Sequence, residues 1–172
     1  MKKILGLLTL AVSAVCADEI APLPAPDANI TYFKMGGGLI PSGEGAQFGP
    51  AFGFGERFER GIHAVDLSIN GGYANGNSYF TLPKVMYLHF FNPDDASSLY
   101  AGGGLSYGHI RNKASHKDFT GILAEAAVGY EWMRHTSIRS FVELNISQGA
   151  IALSSNHHYM TPVVSVSFGV GF

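Results

Sequence analysis

The stretch "VVSVSFGVGF" (residues 163–172) decides the fold. Val164, Val166, Phe168, Val170 and Phe172 share one parity, and Ser165, Ser167, Gly169 and Gly171 share the other. A period of two marks a β-strand with one apolar face. In a soluble protein that face lines a core, whereas in a membrane strand it turns toward lipid. The same alternation recurs upstream in Val142, Leu144 and Ile146, in Ile122, Ala124, Ala126, Val128, Tyr130 and Trp132, and in Val65, Leu67 and Ile69. Their alternate positions are polar, charged or small: Glu143 and Asn145, Gly121, Glu125, Gly129 and Glu131, Asp66, Ser68 and Asn70.

Working outward from these segments, the pattern predicts eight strands over 31–40, 47–57, 62–73, 78–91, 99–110, 119–133, 138–150 and 160–172. No helical period competes with them. "FERG" (58–61), "NPDDASS" (92–98) and "RHTS" (134–137) read as tight polar turns. "PSGEGA" (41–46), "RNKASHKD" (111–118) and "IALSSNHHY" (151–159) read as longer loops, with "ANGN" (74–77) the short exception on their side. A sheet in lipid must close on itself, because an open edge leaves amides unpaired. An even strand number with short turns at one end therefore predicts an all-β, eight-stranded antiparallel transmembrane β-barrel, with short periplasmic turns and longer extracellular loops.

At the other end, "MKKILGLLTLAVSAVCADE" combines Lys2 and Lys3, an apolar stretch and small residues before Asp18. This reads as a secretory signal peptide over 1–17, cleaved after Ala17, and is too short for a membrane-spanning helix. The competing reading makes Cys16 a lipidation site, against which stands Val15 where a small residue is expected. Residues 18–29, with Pro22, Pro24 and Pro26, read as an extended leader, and 30–172 as the barrel. Cys16 is the only cysteine, so the cleaved chain has no disulfide and no thiolate chemistry. A net charge of −2 without like-charged blocks argues against nucleic acid as a partner.

The final strand ending in Phe172 resembles the assembly signal of outer-membrane barrels, and "LYAGGGLSYGHI" (99–110) resembles the glycine-rich strand of the small OmpA/OmpX/Opa-like eight-stranded barrels. The resemblance implies a bacterial outer-membrane location after Sec export. It implies insertion by the barrel assembly machinery, with Val164, Val166, Phe168, Val170 and Phe172 as the recognised residues. It also implies contact with outer-membrane lipid and lipopolysaccharide, and it does not fix an activity.

One subfamily of such barrels hydrolyses an acyl ester of lipid A with a lipid-facing His, Ser and Glu. "LNISQGA" (144–150) is similar to its segment: Ser147 falls at the nucleophile, but Asn145 occupies the His position and no Glu lies within 156–160. An amide cannot take the serine proton. The palmitoyl-transfer subfamily has an amphipathic helix before its barrel, and none is read here. His157 and His158, with His116 and His109, carry imidazoles but no metal-site spacing, so neither metal nor cofactor is assigned. "GGGLIPSGEG" (36–45) lacks the Lys and following helix of a phosphate loop.

Tyr73, Tyr79, Tyr107 and Tyr159 are expected at the outer interface, and Tyr87, Phe91, Trp132 and Phe172 at the periplasmic one. Inward parity gives Lys34, Lys84 and Arg139 against Asp66, Glu125, Glu131 and Glu143, a salt-bridged lumen with acids in slight excess and no continuous water channel. Strand four is ambiguous: placing Lys84 inside also places Leu82, Met86 and Leu88 inside, unless an irregularity near Pro83 shifts the alternation. The functional expectation is a non-enzymatic surface barrel that supports envelope integrity or contacts an extracellular or host ligand through its loops. The alternatives are a lipid A hydrolase and a transport barrel for small apolar molecules.

Overall fold

The computed structural model describes residues 27–42, 45–113, 117–155 and 162–172. The signal peptide, Cys16 and most of the leader lie outside them, as do His116, His157, His158 and Tyr159. Eight strands follow in order: β1 Ala28–Ser42, β2 Gly45–Arg60, β3 His63–Ala74, β4 Asn77–Phe90, β5 Ser97–Asn112, β6 Lys117–Trp132, β7 Arg139–Ser155 and β8 Val163–Gly171. Each pairs with its sequence neighbour, and β1 pairs antiparallel with β8, closing a barrel. The seam runs from Leu39↔Val164 to Tyr32↔Gly171 and is prolonged by reciprocal bonds between Thr31 and Phe172 at 2.9 and 3.0 Å. Closure leaves no unpaired edge.

Much of the length that the sequence assigns to loops is strand. β7 runs on to Ser155, although Ile151, Ala152 and Leu153 are all exposed and show no alternation. Two register irregularities against β6, at Thr120/Gly121 and Ile122/Leu123, explain the lost period, since each bulge adds a residue without breaking the ladder. β1 likewise begins at Ala28, inside the segment read as leader. The short connection between β3 and β4 is a two-residue turn in which Asn75 (φ 46°) and Gly76 (φ 87°) both adopt positive φ, the arrangement for which Asn-Gly is preferred.

β4 resolves its own ambiguity through an interruption. Asn77, Tyr79 and Thr81 point inward above it and Lys84, Met86, Leu88 and Phe90 below it, while Leu82 and Pro83 are exposed in succession. The ladder to β5 shifts between Thr81 and Lys84, where Pro83 has no N–H to donate. One outcome is a correction: Tyr79 is not interfacial. It is 5% exposed and lies inside, because the parity set by Lys84 does not extend across the shift. Tyr73, Tyr87, Tyr107 and Trp132 do face outward.

The polarity of the barrel is inverted relative to a water-soluble one. Phe33, Phe52, Phe54, Leu67, Val85, Leu105, Val128, Leu144 and Phe168 stand on the outer surface, along with Val166 and Val170 of β8 and Phe172 just after it. Glu56, between Phe54 and Phe58, is an acid on that face. The lumen is filled by pairing large residues with glycine across strands: Tyr100 faces Gly129, Phe141 faces Gly169, and Lys34 lies between Gly53 and Gly169. A Cβ on Gly129 would fall 2.2 Å from Tyr100 Cζ, and one on Gly169 2.1 Å from Phe141 Cζ. Gly129→Ala and Gly169→Ala are each expected to lower stability by about 1 to 3 kcal/mol through overpacking against a rigid ring. Urea unfolding in detergent micelles measures this, with the outward Ala126→Val as a control expected within about 0.5 kcal/mol of wild type.

Candidate functional site

The chemistry of this chain is concentrated in the lumen. At the short-turn end, Met133 takes φ 59° and the chain doubles back, so that Arg134 enters the barrel from the turn. Its side chain is fully buried, 4.1 Å above the Phe90 ring, and donates to the Pro93 carbonyl at 2.9 Å and to Glu59 Oε2 at 3.2 Å. Arg139 donates to the same Glu59 oxygen at 2.8 Å and to Glu131 Oε1 at 3.1 Å.

One layer deeper sits Arg57. Its guanidinium donates to Glu131 Oε2 at 2.6 Å and to Asp66 Oδ2 at 3.3 Å, and lies 3.7 Å from Glu143 Oε2. The rings of Tyr100, Phe141 and Tyr32 surround it at 4.7, 5.1 and 5.5 Å. A planar cation is suited to this place, because its edge serves several carboxylates while its faces stack on aromatic rings. Tyr32 donates to Asp66 at 2.8 Å and Tyr100 to Glu143 at 3.0 Å, so the rings also supply hydrogen bonds.

Above this layer Lys34 donates to Glu143 Oε1 at 2.6 Å, and Lys84 donates to Asn145 Oδ1 at 2.5 Å while lying 3.8 Å from Glu125. Glu125 accepts from Ser106 at 2.6 Å, Ser147 at 2.7 Å and Asn145 at 3.2 Å. The far end of the lumen is apolar, where Ile40, Tyr79, Ile110, Phe119, Leu123 and Val163 pack together. Charge in the middle, a guanidinium stopper below and an apolar cap above leave a packed interior.

All seven charged residues read from inward parity, Lys34, Asp66, Lys84, Glu125, Glu131, Arg139 and Glu143, are buried in the lumen. Sequence reasoning omitted Arg57, Glu59 and Arg134, and with them the expected acidic excess disappears. Among the described residues the buried set is five cations, Lys34, Arg57, Lys84, Arg134 and Arg139, against five carboxylates, Glu59, Asp66, Glu125, Glu131 and Glu143. Arg57 and Glu59 continue the inward parity of Gly53 and Gly55; Glu59 was cut off by placing 58–61 in a turn, whereas Arg57 ends the predicted strand 47–57 and its inward parity was passed over. Arg134 had no such pattern, since its entry depends on the turn conformation. Ser147 and Asn145 face the lumen and are buried, so the one serine aligned with a lipid-facing nucleophile points away from the outer surface. His109 is part-buried on β5 and shares a hydrogen bond of 2.8 Å with Thr120 Oγ1.

No family model matches the chain, and no curated protein matches it in sequence. Among solved structures the barrel is similar to Neisserial surface protein A (NspA), with a TM-score of 0.68 and 10% sequence identity, over 83% of this chain and 95% of that one. At this identity the likeness carries the fold.

Removing one partner of a buried ion pair leaves the other uncompensated, at about 3 to 5 kcal/mol. Arg57→Met strands parts of Asp66, Glu131 and Glu143 together, so its loss is expected at or above that range. Arg57→Lys keeps the charge but loses the fork and the stacking and is expected to fall between the two. Glu125→Gln, whose partners are mostly neutral, is expected to cost less than Arg57→Met. Urea titrations of the refolded barrels test the order, and a loss below about 1 kcal/mol for Arg57→Met would remove Arg57 from its central position.

Proposed function

We propose that the chain is a non-enzymatic barrel of a bacterial outer membrane, one of the small eight-stranded OmpA/OmpX/Opa-like surface barrels, which supports the envelope and presents its loops to an extracellular ligand or host. The observation that carries this reading is the inverted polarity: among the described residues, ten buried charges inside and an exterior that is apolar apart from isolated polar side chains such as Glu56. In water such a surface would aggregate, whereas in lipid it is the required one. The fold likeness to a neisserial protein named for its surface location supports the same reading.

Strand length supports the presentation of loops. β5 spans 16 residues, and at about 3.3 Å per residue with a tilt of about 40° it rises roughly 40 Å. The apolar band of such barrels is about 25 Å tall. On β5 the outward residues Leu99, Leu105 and Tyr107 give way to His109 and Arg111, so the sheet itself stands out of the lipid on the side away from the short turns. The filled lumen favours a structural role over conduction, and the inward direction of Ser147 favours it over lipid A hydrolysis.

The chain is expected to fractionate with outer membranes and to run faster on gels when unboiled than when boiled. A cysteine introduced at His158 is expected to react with a membrane-impermeant maleimide on intact cells, and recovery of the protein in the soluble periplasm would refute the reading. In planar bilayers the refolded protein is expected to give no large, steady conductance. Mass spectra of lipid A are expected to be the same with and without the gene; loss of an acyl chain in its presence would establish an enzyme instead.

A further inference from the structure

Outside the lumen, the short-turn rim of β3 and β4 carries a second group of chemically active side chains. His63, the first residue of β3, is the direct cross-strand partner of His89, one residue from the end of β4. Both follow the outward parity, alongside Val65 and Tyr87. The Phe90 N–H donates to the Ile62 carbonyl at 2.9 Å. That bond flanks the histidine pair, which makes it a non-hydrogen-bonded pair, the kind in which facing side chains lie closest.

The two imidazole centroids are 5.8 Å apart and their planes are inclined at 49°. A ring nitrogen lies about 1.1 Å from its centroid, and a metal such as zinc binds it at about 2.0 to 2.1 Å. Two imidazoles sharing one ion therefore have centroids separated by about 5.2 Å at a tetrahedral angle and about 6.4 Å in a line. The observed separation lies between these limits. Tyr87 Oη is hydrogen-bonded to His63 Nδ1, which fixes that ring and leaves Nε2 for an ion. Metal-binding histidines are held by such a bond on their other nitrogen. From β5, His89 is faced by Ala101, and the Phe91 ring stands edge-on to its imidazole with centroids 5.2 Å apart. Arg60, the partner of His63 on β2, turns its guanidinium to the Glu59 carbonyl at 2.6 Å.

We propose that His63 and His89 form a two-imidazole site for a divalent transition-metal ion at the short-turn rim, with Tyr87 as the positioning residue. Among the described residues no group of three or more His, Cys, Asp or Glu is placed to hold an ion, so water completes the coordination. The site is open, and the ligand set favours Cu²⁺ over Ni²⁺ and Zn²⁺.

The test is a Cu²⁺ titration of the full refolded barrel in detergent, in a background in which His116, His157 and His158 are replaced by alanine. The expected result is one ion per barrel with an electron paramagnetic resonance spectrum showing coupling to two imidazole nitrogens. His63→Ala and His89→Ala are each expected to weaken binding at least tenfold and to leave coupling to one. Tyr87→Phe is expected to weaken it about tenfold while keeping both couplings, a result that a purely packing role would not give. Unchanged gel mobility before boiling shows that the variants are folded. Absence of Cu²⁺ binding in this background, or binding unchanged by His63→Ala or His89→Ala, overturns the proposal.

Discussion

A cylinder of eight strands encloses a lumen only as wide as its own side chains, and that constraint governs the remainder of this molecule. Every inward residue shares a narrow cross-section with residues from the opposite wall, so volume and charge must be balanced layer by layer. Arg57 shows how the two requirements meet. Its guanidinium is within reach of Asp66, Glu131 and Glu143 while filling the space between the Tyr100, Phe141 and Tyr32 rings. Neither a neutral side chain nor a point charge meets both conditions. The glycines are the complement of this layer: where Tyr100, Phe141 and Lys34 occupy the lumen, the facing strand contributes no side chain at all.

The outer surface follows a different logic. In the membrane setting proposed above, lipid would impose no pairing requirement there, only an absence of unsatisfied polar groups. The outward positions among the described residues are accordingly mostly Phe, Leu, Val, Ile and Ala, with Tyr and Trp among them and Glu56 the acid set between Phe54 and Phe58. Tyr130 and Trp132 meet edge to face with ring centroids 5.0 Å apart, and the Tyr130 hydroxyl is hydrogen-bonded to Ser97 Oγ on the neighbouring strand at 2.8 Å. Hydroxyl and indole groups suit a boundary that is half lipid and half water, the place the proposed membrane setting would give them.

The strands were legible because alternation is a local property: Val166, Phe168 and Val170 on one face and Ser165, Ser167 and Gly169 on the other need no knowledge of the remainder of the chain. What alternation cannot carry is a change of phase. β7 beyond Gln148 and β4 around Pro83 both lose their period at bulges, and there the sequence predicted a loop in one case and left the interior set ambiguous in the other. The parity of β4 on one side of Pro83 was therefore no guide to Tyr79 on the other side. Arg134 was illegible for a different reason. A turn residue acquires an inward direction only from the backbone conformation of Met133, and the residue that fills it is recognisable only once Glu59 and the Phe90 ring are in place. The histidine pair required register, since His63 and His89 are 26 positions apart and become neighbours only when β3 and β4 are aligned.

The interruption at Leu82 and Pro83 gives β4 two reading frames. Above it the odd-numbered residues belong to the lumen, and below it the even-numbered ones do. The upper half thus contributes Tyr79 to the apolar cap, while the lower half contributes Lys84 to the charged middle and Phe90 to the ring beneath Arg134. Deleting Leu82 or Pro83 would leave a single outward residue between Thr81 and Lys84, opposite Tyr107 of β5 and Ile69 of β3, so both halves would keep their faces in a regular ladder; a deletion elsewhere in the strand would instead force the residues on one side of it to exchange faces. Insertions and deletions are usually absorbed by loops. In β4 a change of one residue in length away from the interruption would act as a substitution of an entire half-strand, whereas the extra residue at Leu82 and Pro83 is the one position whose loss the alternation tolerates.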